Sequence, residues 1–284
     1  MTRTALDVHG KVALVTGGGG GIGFEVARHL ADRGARVAIL DVDEAAAIGA
    51  AEAIGQGARG LGANVADREA MTLAVKKIQA DLGPVAVVVA NAGVTPQPAT
   101  LRLMDDAEFD RVVSINLTGV YNTVRPVLDD IVATRGHVVV VASVAAFAPG
   151  MGGSPYMITK AAVEQLGRAL RIELAVHGAT AQVAYFGIVE TVMTRGMLDE
   201  DELGRELGGR FPWPFNRRIS ATDAAKTICD GIARRSARTI APSMWAPYAL
   251  LRGVINVGFD ALLVRDKRTH RMISRLEDRL GARK

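Results

Sequence analysis

Cysteine is almost absent: Cys229 is the only one in 284 residues. A single thiol excludes an intramolecular disulfide framework and a cysteine-built zinc site, and nothing in it argues for export. Histidine is scarce as well. His9, His29, His137, His177 and His270 include no i,i+4 pair and no metal-ligand spacing, so no metal is expected. No run of 18 uncharged apolar residues occurs, and the nearest approach, Trp245 to Val264, is interrupted by Pro247, Arg252 and Asp260. That argues against an integral membrane protein. The opening MTRTALDVHGK leads straight into an apolar strand, without the apolar core and cleavage site of an export signal. A cytoplasmic location is expected.

What is present suits a folded domain: 49% of residues are hydrophobic and 23% charged. A chain of this length buries a sizeable core without cross-links. The net charge of +4 is unevenly placed. In the last twenty positions Arg265, Lys267, Arg268, Arg271, Arg275, Arg279, Arg283 and Lys284 face only Asp266, Glu277 and Asp278, so this tail carries +5 and the preceding 264 residues −1. Basicity confined to a tail is not a groove across the body, and no nucleic-acid partner is expected.

Short apolar runs alternate with helical patterns. KVALVT (11–16), RVAILD (36–41), VAVVVA (85–90), HVVVVA (137–142) and 180–186 read as strands, with weaker ones at 59–65 and 239–242. Helices are expected over 22–33, 43–53, 67–82, 109–133 and 154–177, with Asp43 and Asp67 as caps, a capping box at Asp105 and Glu108, and Ser154 and Pro155 at N-cap and N1. Alternation of this kind gives an α/β fold, a doubly wound parallel sheet. The expected division is one catalytic domain, 1–242, followed by a helical extension, 243–284.

Thr16-Gly17-Gly18-Gly19-Gly20-Gly21-Ile22-Gly23 follows the first strand and opens the first helix. Glycines allow a tight turn and close approach to a pyrophosphate, and the helix start directs free N–H groups at it. Asp41 ends the second strand 18 residues beyond Gly23, where a carboxylate accepts from the ribose hydroxyls of adenosine and repels a 2′-phosphate. Val42 is not basic, and the turn holds no Arg or Lys. The expected cofactor is therefore NAD.

Tyr156 and Lys160 lie four apart on a helix and share a face. A free phenol has a pKa of about 10. A neighbouring ammonium and a position in the first helical turn both favour the phenolate, so a lowered pKa and proton exchange with an alcohol are expected. Ser143 ends a strand 13 residues upstream of the tyrosine, on the rim where open α/β sheets bind ligands.

Together the glycine turn, Asn91-Ala92-Gly93, Asn116 in SINLTG, Ser143 and Tyr156-Met157-Ile158-Thr159-Lys160 make residues 8 to 242 resemble a classical short-chain dehydrogenase/reductase. The resemblance implies a Rossmann-type fold and a tetrad of Asn116, Ser143, Tyr156 and Lys160. Tyr156 is then the acid/base, Ser143 polarises the substrate oxygen, Lys160 binds the nicotinamide ribose, and Asn116 holds a relay water. It also assigns Gly17, Gly21, Ile22, Gly23 and Gly93 to the cofactor cradle, Asn64 and Val65 to the adenine, Asn91 to the adjacent ribose, and Val189 and Thr191 to the nicotinamide carboxamide. Two positions depart from the family: Asn64 stands where many relatives have Asp, and Phe186 replaces a proline.

The implied activity is hydride transfer between nicotinamide and a secondary alcohol or ketone. The alternatives are a 3-oxoacyl-type carbonyl reductase and a non-catalytic nucleotide-binding regulator. Residues 193–220 occupy the family's variable lid and hold Met193, Met197, Leu198, Phe211, Trp213 and Phe215. With Phe147, Met151 and Tyr185 they point to a bulky hydrophobic substrate such as a sterol, terpenoid or lipid. The alternative use of these side chains is core or oligomer packing. In the extension, Leu251, Ile255, Phe259, Leu262 and Leu263 form one stripe, followed by the basic stretch. Such a segment packs on protein or makes a peripheral membrane contact. Family habit implies a homo-oligomer, tetramer or dimer.

Overall fold

The computed structural model describes residues 5–209 and 213–282. In chain order the elements are β1 (Val12–Thr16), α1 (Gly21–Ala31), β2 (Arg36–Asp41), α2 (Glu44–Ile54), β3 (Arg59–Gly62), α3 (Arg68–Leu82) and β4 (Val85–Ala90). Then come α4 (Asp106–Val113), α5 (Gly119–Val124), α6 (Leu128–Ala133), β5 (His137–Val141), α7 (Ser154–Glu173), β6 (Thr180–Phe186) and β7 (Ile188–Glu190). The chain continues with α8 (Val192–Arg195), α9 (Glu202–Gly209), β8 (Arg218–Ser220), α10 (Ala221–Ala233), β9 (Arg238–Ala241), α11 (Trp245–Arg265) and α12 (Lys267–Gly281).

Seven strands form one parallel sheet in the order β3-β2-β1-β4-β5-β6-β9. This is the Rossmann arrangement. The β-branched runs of β4 and β5 are buried at every position because both sheet faces are covered. Alternate residues feed two cores: Leu14, Val88 and Val140 toward the side of α3, α5 and α7, Val15, Val89 and Val141 toward α1, α2 and α10. The strand order reverses between β1 and β4, and ligand-binding crevices of open sheets lie at the carboxyl ends beside such a reversal. Beyond the main sheet, β7 and β8 form a small parallel pair.

Several local expectations change. The single helix expected over 109–133 is three: α4 passes into a π-helical turn, Ser114–Thr118, then α5 and α6. Asp105 caps α4 through the Ala107 N–H at 2.8 Å, but Glu108 turns away to accept from the Gln97 N–H and to pair with Arg111, so no capping box forms. Gly153, not Ser154, is the N-cap of α7, which moves Pro155 to N2. Asp43 and Asp67 do cap their helices, accepting from Ala46 and Ala70.

The extension docks by a face other than the apolar stripe. Trp245 and Tyr248 pack inward, whereas Leu251, Ile255, Phe259 and Leu262 are 53%, 37%, 37% and 64% exposed. Tyr248, Arg252 and Asn256, spaced by four, supply the contacts to the body: Asn256 Nδ2 donates to the Phe147 carbonyl at 2.7 Å, and Arg252 forks onto Glu164 of α7. α12 then pairs with α9 and the residue before it, Arg275 with Glu202 and Glu206 and Arg279 with Asp201.

Candidate active site

The glycine turn leaves β1 at the crevice. Gly17 has φ +63°, and a Cβ there would lie 2.8 Å from Ala92 Cα. At Gly23 a Cβ would lie 2.1 Å from the Gly17 carbonyl oxygen, so only glycine lets α1 start against the turn. Gly20, the N-cap of α1, offers no side-chain acceptor, and the first turn contains no acidic residue. The N–H groups of this helix end are therefore open to an anion, which fits the pyrophosphate of a dinucleotide. Thr191, the N-cap of α8, closes over the turn: its Cγ2 is 3.6 Å from a Cβ built on Gly21. Ile22, in the first turn of α1, packs partly against the core, and Val189 is buried in β7.

Asp41 sits across the turn. One carboxylate oxygen accepts from the Gly19 N–H at 2.9 Å and the other from the Asp43 N–H at 3.2 Å. The carboxylate is thus held at the edge of the turn, and Val42 beside it is 75% exposed. Asn91 lies beneath the turn, and its amide nitrogen donates to the carbonyls of Thr16 and Gly17, both at 3.1 Å. It is the turn that uses this amide N–H pair. Asn64 is exposed and closes an Asx turn by accepting from the Ala66 N–H at 3.0 Å, next to buried Val65.

Ser143, Tyr156, Lys160 and Asn116 converge at the rim between β4, β5 and α7. Ser143 follows β5, and its Oγ accepts from the Ala145 N–H at 3.1 Å and faces the Tyr156 phenol. Lys160 lies one turn beyond the tyrosine on α7; its Nζ donates to the Val141 carbonyl at 2.8 Å and stands 5.6 Å from the Tyr156 ring centre. Asn116 is fully buried in the π-helical turn, an irregularity often found at functional sites. Its amide clamps Val94, accepting from the N–H and donating to the carbonyl, each at 2.8 Å. A Cβ on Gly93 would lie 3.3 Å from Asn116 Oδ1 and 3.4 Å from Lys160 Nζ, so both groups border one point at the end of β4.

Electrostatics here correct the expectation of an acidified tyrosine. Burial raises the Tyr156 pKa and outweighs the opposing hydrogen bond from Ser143; the phenol is neutral at pH 7. Burial also lowers the Lys160 pKa to about 8, so the ammonium is still mostly charged at neutral pH. Tyr156 as a residue is half-buried.

Three aromatic residues singled out in the sequence, Phe147, Tyr185 and Phe215, have a structural use. Phe147 packs tilted against Tyr185 with ring centres 5.0 Å apart, and Phe215 meets Trp245 at 4.8 Å and Trp245 meets Tyr248 at 5.9 Å edge-to-face, forming a cluster that seats α11. Trp213 is 83% exposed and Met193 41%, while Leu198 is buried. The Met197 side chain and Phe211 lie outside the described part. The motif reading also left out Glu164, the next residue after Tyr156 and Lys160 in a spacing of four, and its partner Arg252. A repeated spacing of four in both helices was the available signal.

Among the described residues no group of three His, Cys, Asp or Glu side chains is placed to hold a metal. Cys229 is buried beside α1, and burial pushes its pKa up to about 12, which makes it an inert packing thiol.

Fold and site together define a nicotinamide-dependent oxidoreductase acting on CH–OH and keto groups. The chain belongs to the short-chain dehydrogenase family, whose model matches residues 11–202. It is 33% identical over 196 residues to the 3-oxoacyl-[acyl-carrier-protein] reductase FabG of Vibrio harveyi, a match covering 69% of this chain and 80% of the relative. It is 34% identical over 216 residues to the acetoacetyl-CoA reductase of a Synechocystis strain, covering 75% and 84%. The solved structure of gox2181 superposes with a TM-score of 0.76 at 27% identity, covering 85% of this chain and 97% of that one.

Proposed function

We propose that the protein is an NADH-dependent carbonyl reductase for a 3-oxoacyl-type ketone, with the reverse oxidation of the secondary alcohol at the same site. The observation that carries this reading is the convergence of Ser143, Tyr156, Lys160 and Asn116 at the sheet rim beside the glycine turn. The neutral Tyr156 phenol supports the reductive direction, because at neutral pH it is ready to give a proton to the forming alkoxide rather than to take one. Ser143 Oγ donates to the carbonyl oxygen and holds it against the phenol. Lys160 keeps a positive charge beside the phenol and stabilises the phenolate left behind. Asn116, gripped by Val94, fixes the end of β4 next to Lys160. The hydride for the carbonyl carbon is what a bound reduced nicotinamide would supply. Asp41 and the open start of α1 would hold its adenosine and pyrophosphate. The two relatives whose names specify 3-oxoacyl and acetoacetyl thioesters favour this substrate class over a sterol, and Phe147, Tyr185 and Phe215, among the side chains that suggested a sterol, belong to the cluster that seats α11.

The deciding experiment follows nicotinamide absorbance with a 3-oxoacyl thioester and NADH, beside a panel of sterol, terpenoid and lipid alcohols with NAD. Reduction of the thioester at the higher kcat/KM is expected. Turnover of a bulky alcohol with no thioester reduction returns the reading to a hydrophobic-alcohol dehydrogenase. Binding of dinucleotide without turnover of either class favours the regulatory alternative.

A peripheral contact with an anionic membrane goes with this reading. Its support is the outer face of α11, where Leu250, Val254, Val257 and Val264 are each at least 70% exposed, and which runs into Lys267, Arg268 and Arg271. α11 is also long and apolar enough to cross a membrane by length and composition. Its fork onto Glu164 ties it to the body, and that favours lying in the interface. Homo-oligomerisation is the competing use of that face. The full-length protein should float with phosphatidylglycerol-containing vesicles, and Leu250→Ser with Val254→Ser and Val257→Ser should not. A wild-type protein that stays in solution with such vesicles, but loses a dimer on the triple change, assigns the face to self-association.

A further inference from the structure

We infer that Arg252 and Asn256 are positioning residues for the reaction centre, so that α11 is part of the frame that holds Ser143 against Tyr156. The inference rests on Ser143 and Tyr156 carrying the reaction as proposed above.

Tyr156, Lys160 and Glu164 occupy one stripe of α7 at a spacing of four. Glu164 is only 6% exposed, and its two carboxylate oxygens take both arms of the Arg252 fork, at 2.8 and 2.5 Å. Arg168 stands 3.8 Å away with a 59% exposed side chain, too distant and too hydrated to replace that fork. The guanidinium also lies 4.9 Å from the centre of the Phe147 ring. Phe147 ends the short 3-10 turn that Ser143 caps, and its carbonyl accepts from Asn256 Nδ2 at 2.7 Å. Asn256 is itself oriented by the Tyr248 hydroxyl, which donates to its Oδ1 at 2.7 Å.

One helix face therefore grips both elements that carry the reacting groups. Arg252 holds the helix of Tyr156 and Lys160, and Asn256 holds the turn of Ser143. Neither side chain needs to touch the substrate. The Ser143–Tyr156 geometry depends on these grips because, among the described residues, the Ser143 hydroxyl is held besides by its own turn, by Tyr156 and by a long 3.4 Å contact to the Phe186 carbonyl. A misplacement on the scale of an ångström costs about two orders of magnitude in rate. Loosening one of two grips should cost less.

The test compares Asn256→Ala, Arg252→Met and Arg252→Lys with the wild-type full chain, each assayed well below its melting temperature on the thioester substrate. Asn256→Ala and Arg252→Met should lower kcat roughly tenfold with dinucleotide Kd unchanged, and Arg252→Lys should recover part of the loss. A purely structural role would lower the melting temperature and leave kcat per folded molecule intact, and that result overturns the inference. If Arg252→Met does not fold, Asn256→Ala and Arg252→Lys still decide the matter. Tyr156→Phe is assayed in parallel: if it keeps full turnover, the proposed chemistry has failed. If it is inactive while Asn256→Ala and Arg252→Lys are unimpaired, only the positioning role has failed.

Discussion

Tyr156→Phe is expected to lower kcat about 10²–10⁴-fold and to leave dinucleotide affinity unchanged. The change removes one hydroxyl from a ring that packs beside Lys160 and leaves the ring in place, so folding and the glycine turn are untouched. What is lost is the proton donor facing Ser143. The wild-type pH profile gives an independent signature. Burial holds the phenol protonated through neutrality, so carbonyl reduction has its acid available at pH 7. Burial also brings the Lys160 pKa down to about 8. Above that pH the lysine becomes neutral and no longer stabilises the phenolate formed on proton transfer. Reduction should therefore be flat well below pH 8 and fall as pH rises through it. Steady-state kinetics from pH 6 to 9.5, with dinucleotide binding measured on the same samples, check both statements. Residual turnover in Tyr156→Phe near the wild-type level would mean that another group supplies the proton.

The parts of this molecule that were legible in the sequence are those fixed by short-range steric or hydrogen-bonding demands. Parallel strands buried on both faces leave continuous β-branched runs such as VAVVVA. Asp43 and Asp67 precede their helices by one residue, and a cap acts over three. Gly17 and Gly23 stand where any Cβ meets backbone within 3 Å, so the turn is written in the glycines themselves. The illegible parts depend on distant partners. Glu108 could have completed a capping box, but the Gln97 N–H and Arg111 compete for it more effectively. The π-helical turn at Asn116 carries an amide that bonds Val94, 22 residues away, a partner no local pattern names. The docking of α11 ran against an apolar-face reading because its body-facing stripe is polar. Arg252 finds a buried carboxylate 88 residues earlier; the spacing of four marks a stripe on each helix, but nothing local pairs the two stripes. The tyrosine pKa was misjudged for a related reason: the ammonium four residues away was visible, and the desolvation imposed by the fold was not.

Asp41→Ala is expected to raise the Kd of NAD about 10²-fold and to change that of NADP far less. Each hydrogen bond from a hydroxyl to a carboxylate is worth roughly 1.5–3 kcal/mol when desolvated, and 1.4 kcal/mol is tenfold in affinity. Losing two such bonds, without full additivity, gives the stated effect. NADP forgoes a repulsion at the same moment, since the carboxylate that greets a ribose hydroxyl opposes a 2′-phosphate. The measurement is complicated by a second duty of Asp41, which anchors the turn through the Gly19 N–H at 2.9 Å. A slackened turn would weaken both dinucleotides equally, so the informative quantity is the ratio of the two dissociation constants. Asp41→Asn separates the duties further. Its amide oxygen can still accept from Gly19, so that anchor of the turn is kept, while its NH2 group gives up the bond from the Asp43 N–H and the charge that selects against the phosphate is removed. The ratio should move toward NADP in both variants, with the larger overall loss of binding in alanine. A wild-type protein that already binds NADP more tightly than NAD would overturn the assignment, because Val42 and the turn glycines supply no cation to offset a phosphate beside Asp41.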